Sequence, residues 1–379
     1  MAIDNKDKKI LNVPHLRFPE FSGEWEMVSL QDIATINPKS DPLQNTFIYI
    51  DLEAVEKGEL RKIQEIMREE APSRAQRVID NNDILFQCVR PYQKNNYIHR
   101  ILNTSNQQWV ASTGYAQIRT TELPNYIYHL LNTDEFNRKV MVRCTGSSYP
   151  AINSEDLATI HLYYTPDKKE QLKISRLLDL LDKRIATQNK IIEKLQSLIK
   201  GLRVCCMQRV YGNNVYLSEI AQIYQPQTIS STELTEDGFL VYGANGIIGK
   251  YKDYNHETEQ ICITCRGNTC GMVNYTKPMS WITGNAMVIN TDKYQDKVCK
   301  RYLYHYLSAY NFNSIISGSG QPQIVRTPLE KLKITLPTIS EQKQKAMILD
   351  KIQDKIDINH NVLNLYILQK QYLLRQMFI

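Results

Sequence analysis

From Pro166 to Arg209 the chain has no further proline and only one glycine, and its apolar positions fall at Ile174, Leu177, Leu181, Ile185, Ile192, Leu195, Ile199 and Leu202. The intervals run three, four, four, seven, three, four, three, the alternation of a coiled-coil seam. Pro166 and Asp167 suit the first turn of such a helix, and Gly212 with Asn213-Asn214 ends it. A second run opens at Pro337 and carries Ile348, Ile352, Ile356, Leu363, Tyr366 and Leu373 in the same register. Each seam has a polar residue at its midpoint, Gln188 and Asn359, a device that can fix register at a cost in stability. Helices of roughly 40 residues are about 60 Å long, more than one module of this size buries, so the two are expected to pair with each other. An antiparallel pair would hold two globular modules at opposite ends, related by a pseudo-twofold axis.

Outside the two helices the pattern changes. Residues 25–165 and 213–336 carry short β-rich runs, such as Phe47-Ile48-Tyr49-Ile50 and Ile84-Leu85-Phe86, broken by turn residues. One short helix is expected near 124–142, from Tyr126, Leu130, Leu131, Phe136 and Val140. Its equivalent carries Tyr302, Leu303, Tyr306, Leu307 and Phe312. Residues 1–24 read as a leader, 166–212 as a central helix and 337–379 as a C-terminal helix. The expected class is therefore α+β, with two mixed α/β modules separated by two long antiparallel helices.

The modules also repeat in sequence. Thr145-Gly146-Ser147-Ser148-Tyr149-Pro150-Ala151-Ile152 returns as Ser317-Gly318-Ser319-Gly320-Gln321-Pro322-Gln323-Ile324. Pro166 and Glu170-Gln171 return as Pro337 and Glu341-Gln342, and Leu178-Asp179 as Leu349-Asp350. Leu30-Gln31-Asp32-Ile33-Ala34 at the start of one module matches Leu217-Ser218-Glu219-Ile220-Ala221 at the start of the other. This period lies far beyond the roughly 20–50 residues of solenoid repeats, so two whole modules do the same job. Their interiors barely match, which points to different targets.

Composition narrows the class. A hydrophobic fraction of 42% and a charged fraction of 23% suit a globular protein, and the net charge of +6 is compatible with a nucleic-acid partner. The 23 tyrosines and the many amides suit polar surfaces that read sequence, although Tyr also fills strands. The polar N-terminus offers no signal peptide, no run approaches the roughly 18 apolar residues of a membrane helix, and the eight cysteines are scattered. A cytoplasmic protein with reduced thiols is expected.

In order and duplication, these motifs resemble the specificity subunit of type I restriction-modification enzymes. The carriers are Leu16-Arg17-Phe18-Pro19-x-Phe21-x-Gly23-x-Trp25, the two module openings, the two loops at 145–152 and 317–324, the duplicated Pro-x-x-x-Glu-Gln, and Leu373-Leu374-Arg375-Gln376-Met377-Phe378. The resemblance implies two target-recognition domains, each reading half of a split double-stranded DNA site. It implies helices that set the unread gap and dock two methyltransferase subunits, through seam positions Leu181, Ile185, Ile192, Leu195, Ile352, Ile356, Leu363 and Tyr366. A motor-nuclease (restriction) subunit would join for cleavage. This chain would do no chemistry: S-adenosylmethionine would belong to the methyltransferase, and ATP and Mg to the restriction subunit.

The loops that close each module are candidate DNA contacts through Ser147, Ser148, Tyr149, Ser319, Gln321 and Gln323, since hydroxyls and backbone N–H groups hold phosphates and Gln reads adenine. The alternative is a duplicated structural turn. A hairpin at Tyr242–Tyr251 would present Asn245 to bases and Lys250 to a phosphate; otherwise it is a Gly-rich turn without contacts. Arg266, Asn268 and Asn285 follow in the second module, where Arg266 would read guanine or hold phosphate unless it forms a surface salt bridge. In the first module Arg90, Lys94, Asn95 and Asn96 form the corresponding polar cluster. Arg61, Lys62, Arg68, Arg74 and Arg77 are equally well read as a solvated face.

Cys262, Cys265 and Cys270 with His256 match no closed zinc geometry, so no metal is expected. The chain has no Asn/Asp-Pro-Pro-Tyr/Phe tetrapeptide of amino-methyltransferases and no phosphate-binding Gly-x-x-x-x-Gly-Lys-Ser/Thr loop. An enzyme with a repeated domain therefore lacks its site, and a pure coiled-coil scaffold leaves the two dissimilar modules without a purpose.

Overall fold

Strand Ile84–Gln87 is buried at every residue, as is its counterpart Ile261–Thr264, which is why the first three residues of each are an unbroken apolar run. A computed structural model describes residues 12–101, 107–208, 210–318 and 320–379. Two compact units emerge, one running to Thr187 and taking in Leu363–Ile379, the other Gln188–Val362. The division falls inside both long helices, because each module packs on part of each helix.

In the first unit an antiparallel sheet has the order Ala34–Ile36, Tyr115–Thr120, Ile84–Gln87, Tyr97–Ile98. A second sheet has the order Gln64–Met67, Thr46–Ile50, Trp109–Ser112, Ala75–Val78, with Thr46–Ile50 and Trp109–Ser112 parallel. The second unit repeats the antiparallel order with Gln222–Tyr224, Ala286–Asn290, Ile261–Thr264 and Val273–Tyr275. It also repeats the parallel pair, as Phe239–Gly243 beside Ser280–Ile282.

The single helix expected at 124–142 is two, Pro124–Leu131 and Asp134–Arg143. Thr133 breaks it: its hydroxyl accepts the Phe136 N–H at 3.2 Å and starts a new helix as its N-cap. In the second unit the equivalent helix is Lys300–Ala309.

The long helices are Lys168–Gln208 and Ile339–Met377. Asp167 is an N-cap rather than a first-turn residue, accepting from Lys169 N at 2.8 Å, and Thr338 caps the second helix, its Oγ1 accepting from Glu341 N at 3.3 Å. Within the first unit the helices run antiparallel, with Asp182 paired to Lys370 and Arg184 over the Tyr366 ring. Within the second, Ile199 packs with Leu349 and Ile356, and Gln188 Nε2 donates to Asn359 Oδ1 at 2.5 Å. Two seam assignments slip by one residue: Leu349 is fully buried while Ile348 is 56% exposed, and Leu178, not Leu177, is the fully buried position.

The reading of 1–24 as a leader fails for its described part. Arg17 forms a two-pronged ion pair with the buried Glu170 (2.7 and 2.8 Å), and Trp25 packs edge-on against Tyr126 and Phe378. The opening motif and the Leu373–Phe378 ending are thus parts of one core.

Each module helix is tied to its long helix in the same two ways. Gln171 Oε1 accepts the N–H of Leu123, the N-cap of Pro124–Leu131, and Gln342 Oε1 accepts that of Cys299, the N-cap of Lys300–Ala309. His129 bonds Asp179 at 2.8 Å, and His305 bonds Asp350 at 2.9 Å. In the second unit Arg203 donates to His305 Nδ1, so Nε2 carries the proton given to Asp350. Burial pushes the pKa of both histidines down and outweighs the pull of the aspartates.

Replacing Gln342 with Leu leaves the half-buried Cys299 N–H without its acceptor and should cost about 1–3 kcal/mol in urea unfolding. A second prediction concerns pH. His99 is fully buried against Trp109, and burial lowers its pKa from 6.5 to about 4. The unfolded chain therefore binds a proton that the folded chain refuses, so this stabilisation is complete above pH 6.5 and is lost as the pH falls towards 4. His99→Phe should flatten the fall in stability over that window, and an unchanged slope in denaturant midpoints would refute the assignment.

Candidate nucleic-acid interface

Both central strands end in the same backbone construction. In the second unit Cys265 follows Ile261–Thr264; its N–H donates to Asn285 O and its carbonyl accepts Ile324 N at 3.0 Å. Arg266 bridges to Gln323, and Gly267 N donates to Pro322 O at 3.0 Å. In the first unit Cys88 N donates to Gly114 O at 3.0 Å, and Cys88 O accepts Ile152 N at 3.1 Å. Val89 bridges to Ala151, and Arg90 N donates to Pro150 O at 2.7 Å. Cys88, Val89 and Arg90 thus occupy the positions of Cys265, Arg266 and Gly267.

The duplicated loops close on themselves through paired bonds, Thr145 with Ala151 and Ser317 with Gln323. Gly146 and Gly318 take positive φ (+88° and +94°), and a Cβ on Gly318 would lie 2.4 Å from Gln321 O. Glycine is required there by conformation and by space.

The second unit brings its predicted residues to one rim. Asn245 sits exposed at the tip of the hairpin Phe239–Gly243/Gly246–Tyr251. Thr264 Oγ1 bonds Ala244 O and so fixes that tip at the strand end beside Arg266. Asn285 is tied to Cys265, and Gln323 to Arg266. Arg266, Asn268, Asn285 and Gln321 are exposed and Gln323 is half-buried, and none has a side-chain partner among the described residues. Lys250 lies off this set, paired with Asp237 at 3.3 Å. Ser319 lies outside the described residues.

The first unit keeps only part of its predicted cluster. Ser147, Ser148 and Tyr149 are exposed on the loop, and the Arg90 guanidinium lies over the Tyr149 ring at 4.3 Å. Asn96 is 2% exposed, accepting Gln87 N and donating to Asn132; it is a structural residue. Lys94 is engaged by Asp134 at 2.7 Å, and Asn95 Oδ1 accepts the Lys57 N–H at 3.0 Å. These three were grouped with Arg90 by sequence proximity, but the left-handed backbone at Arg90 and Lys94 turns the chain back into the module.

Arg74 is a rim residue that the sequence did not single out. Its carbonyl accepts Thr113 N at 2.8 Å, next to the Gly114 that holds Cys88, and its side chain is exposed without a partner among the described residues. No sequence signal separates it from Arg61, which pairs with Glu56 and Glu59, or from Arg68, which binds Leu43 O.

The seam residues assigned to partner docking face inward. Leu181, Ile192 and Ile356 are buried, and Ile185, Leu195, Ile352, Leu363 and Tyr366 are half-buried in helix packing. Their apolar neighbours Leu180, Ile191, Leu198, Ile358, Leu365 and Leu368 are the exposed ones.

The rims offer cations, amides and hydroxyls rather than a nucleophile. Burial pushes the Cys88 thiol up to about 12 and raises Cys262 too, which keeps both protonated. Among the described residues, no cluster of His, Cys, Asp and Glu could hold a metal ion, and no helix is long and apolar enough to cross a membrane. The two units thus carry polar rims built on one backbone plan, each with an arginine that has no carboxylate partner among the described residues.

The family described as type I restriction modification DNA specificity domain matches residues 22–197 and 213–365, and the chain belongs to it. It is 32% identical over 147 residues to the type I restriction enzyme EcoprrI specificity subunit of Escherichia coli, covering 38% of this chain and 36% of that protein. It is 24% identical over 423 aligned positions to the MjaVIII specificity subunit of Methanocaldococcus jannaschii, covering 93% and 91%. The fold is that of the type I restriction-modification S subunit of M. genitalium (TM-score 0.66, 15% identity, 97% and 99% covered). A chain from a type I system whose complex assembly was studied also matches (TM-score 0.55, 20% identity, 92% and 96% covered). The matches to the E. coli relative and to a putative Haemophilus influenzae specificity subunit span only 36% and 35% of those proteins.

The division between internal and rim residues is testable. Asn96→Ala should lower stability by about 1–3 kcal/mol, because it strands the buried Gln87 N–H. Asn245→Ala should stay within about 0.5 kcal/mol of wild type in the same unfolding assay.

Proposed function

We propose that this chain is the DNA specificity subunit of a type I restriction-modification system. Each rim reads one half of a bipartite, asymmetric double-stranded DNA site, and the long helices set the unread gap. The observation that carries this reading is the duplicated strand-end and loop construction, with equivalent backbone bonds but different side chains on the two rims. A shared frame with unlike side chains suits two unlike half-sites. Arg74, Arg90 and Arg266, free of carboxylates among the described residues, suit a phosphate backbone and guanine edges.

Two methyltransferase subunits dock on the long helices, and restriction subunits join for cleavage. Exposed apolar residues support this role, including Leu180, Leu365 and Leu368 in the first unit and Ile191, Leu198 and Ile358 in the second. The subunit acts in the cytoplasm and carries no chemistry of its own. S-adenosylmethionine belongs to the methyltransferase, and ATP and Mg to the restriction subunit.

The test is a genome-wide map of methylated bases in a host without endogenous methylation. The host expresses this chain with the methyltransferase subunit of its system, or that subunit alone. A split motif methylated only with both proteins is the expected result; no motif from a soluble, associated pair would overturn the reading. In the same assay the double variant Arg266→Ala, Asn245→Ala should relax one half-site only, by about 1–3 kcal/mol per lost bidentate contact. Equal loss at both half-sites would contradict two independent readers.

A further inference from the structure

The two rims differ most where their backbones agree. Arg90 and Gly267 occupy the same position, and both adopt left-handed backbone, with φ of +54° and +86°. Glycine takes this conformation freely, whereas arginine is strained in it. Strain of this kind accumulates where a side chain is needed at one place. Facing this position, Tyr149 in the first unit stands where the second has Gln321.

The Arg90 guanidinium lies 4.3 Å from the centre of the Tyr149 ring. It makes no hydrogen bond or ion pair among the described residues, so all five of its N–H donors are uncommitted. Tyr149 is itself 63% exposed, so the pair stands at the surface of the loop. A long side chain is thus held at its base by the strained turn and at its guanidinium by the face of a ring. Its planar fork remains open to an acceptor pair. In DNA the acceptor pair that matches that fork is O6 and N7 of guanine in the major groove.

We infer that Arg90 reads a guanine in the half-site of the first module and that Tyr149 is its positioning residue. The second module has neither group at the matching positions, so this base contact is specific to the first half-site. The inference rests on the proposed DNA-reading function and adds the residue and the base.

The test uses the complex of this chain with its methyltransferase subunit, on duplexes carrying every single base-pair change in the mapped site. With wild type, one G·C pair in the first half-site should be preferred by roughly 5- to 150-fold, the equivalent of about 1–3 kcal/mol. Arg90→Ala and Arg90→Met, which remove the donors, should both abolish that preference and leave the second half-site untouched. Tyr149→Ala should weaken it at the same base pair, and Tyr149→Phe should retain it. If Arg90→Met keeps the full preference, or if binding weakens equally on all duplexes, Arg90 does not read the base and the inference falls. Should Arg90→Ala fail to assemble, Arg90→Met, which keeps the length of the side chain without its donors, decides alone. A wild-type complex with no split site would refute the underlying function instead.

Discussion

The buried bond between a module-helix histidine and a long-helix aspartate, His129 to Asp179 and His305 to Asp350, is the constraint on which each unit is built. Both imidazoles are fully buried, so each must bring a partner or leave a polar group stranded. A glutamine eight residues earlier on the same long helix takes the N–H at the start of the module helix. Two directional contacts at two points along the module helix fix its rotation and its slide. Apolar packing alone would tolerate several arrangements of those faces. The sheet lies against that helix, so the position of the strand end that carries the rim follows from these polar contacts.

At the rim, backbone supplies the constancy and side chains the difference. The loop closes through main-chain bonds that no side-chain substitution removes, and a left-handed glycine permits the closure. On that frame the exposed positions are free to vary: Ser148 against Gly320, Tyr149 against Gln321. A protein that must present unlike chemistry from one fold gains from putting geometry in the main chain. The contrast with Asn96 makes the same point, since that amide looks like a reader in sequence yet is engaged by Gln87 and Asn132 as part of the frame.

The sequence disclosed what is periodic or duplicated. The helix seams, the paired loops and the repeated Glu-Gln were legible because their signal is spacing. The slips at Ile348 and Leu177 arise where two apolar residues are adjacent and either satisfies the period; packing chose Leu349 and Leu178. The break at Thr133 was hidden because apolar residues continue across it in helical phase while a capping hydroxyl restarts the helix. Contacts between residues far apart in the chain left no trace. His129 and Asp179 are separate motifs in sequence, Arg74 is one of five similar basic residues, and nothing in the string places either beside its partner.

The polar seam shows how a weak interaction sets a discrete choice. Gln188 Nε2 donates to both the side-chain and main-chain oxygens of Asn359, at 2.5 and 3.1 Å, within the second unit. Exchanged for leucines, these positions would bury more apolar surface, so the amides do not maximise stability. A slip of one helical turn, about 5.4 Å, would leave the apolar contacts largely replaceable but strand both amides in the seam. The penalty therefore falls almost wholly on the wrong registers. Leu349 and Ile356 then meet Ile199 in one arrangement. The exposed residues Ile191, Leu198 and Ile358 are then held in one arrangement rather than an average over several.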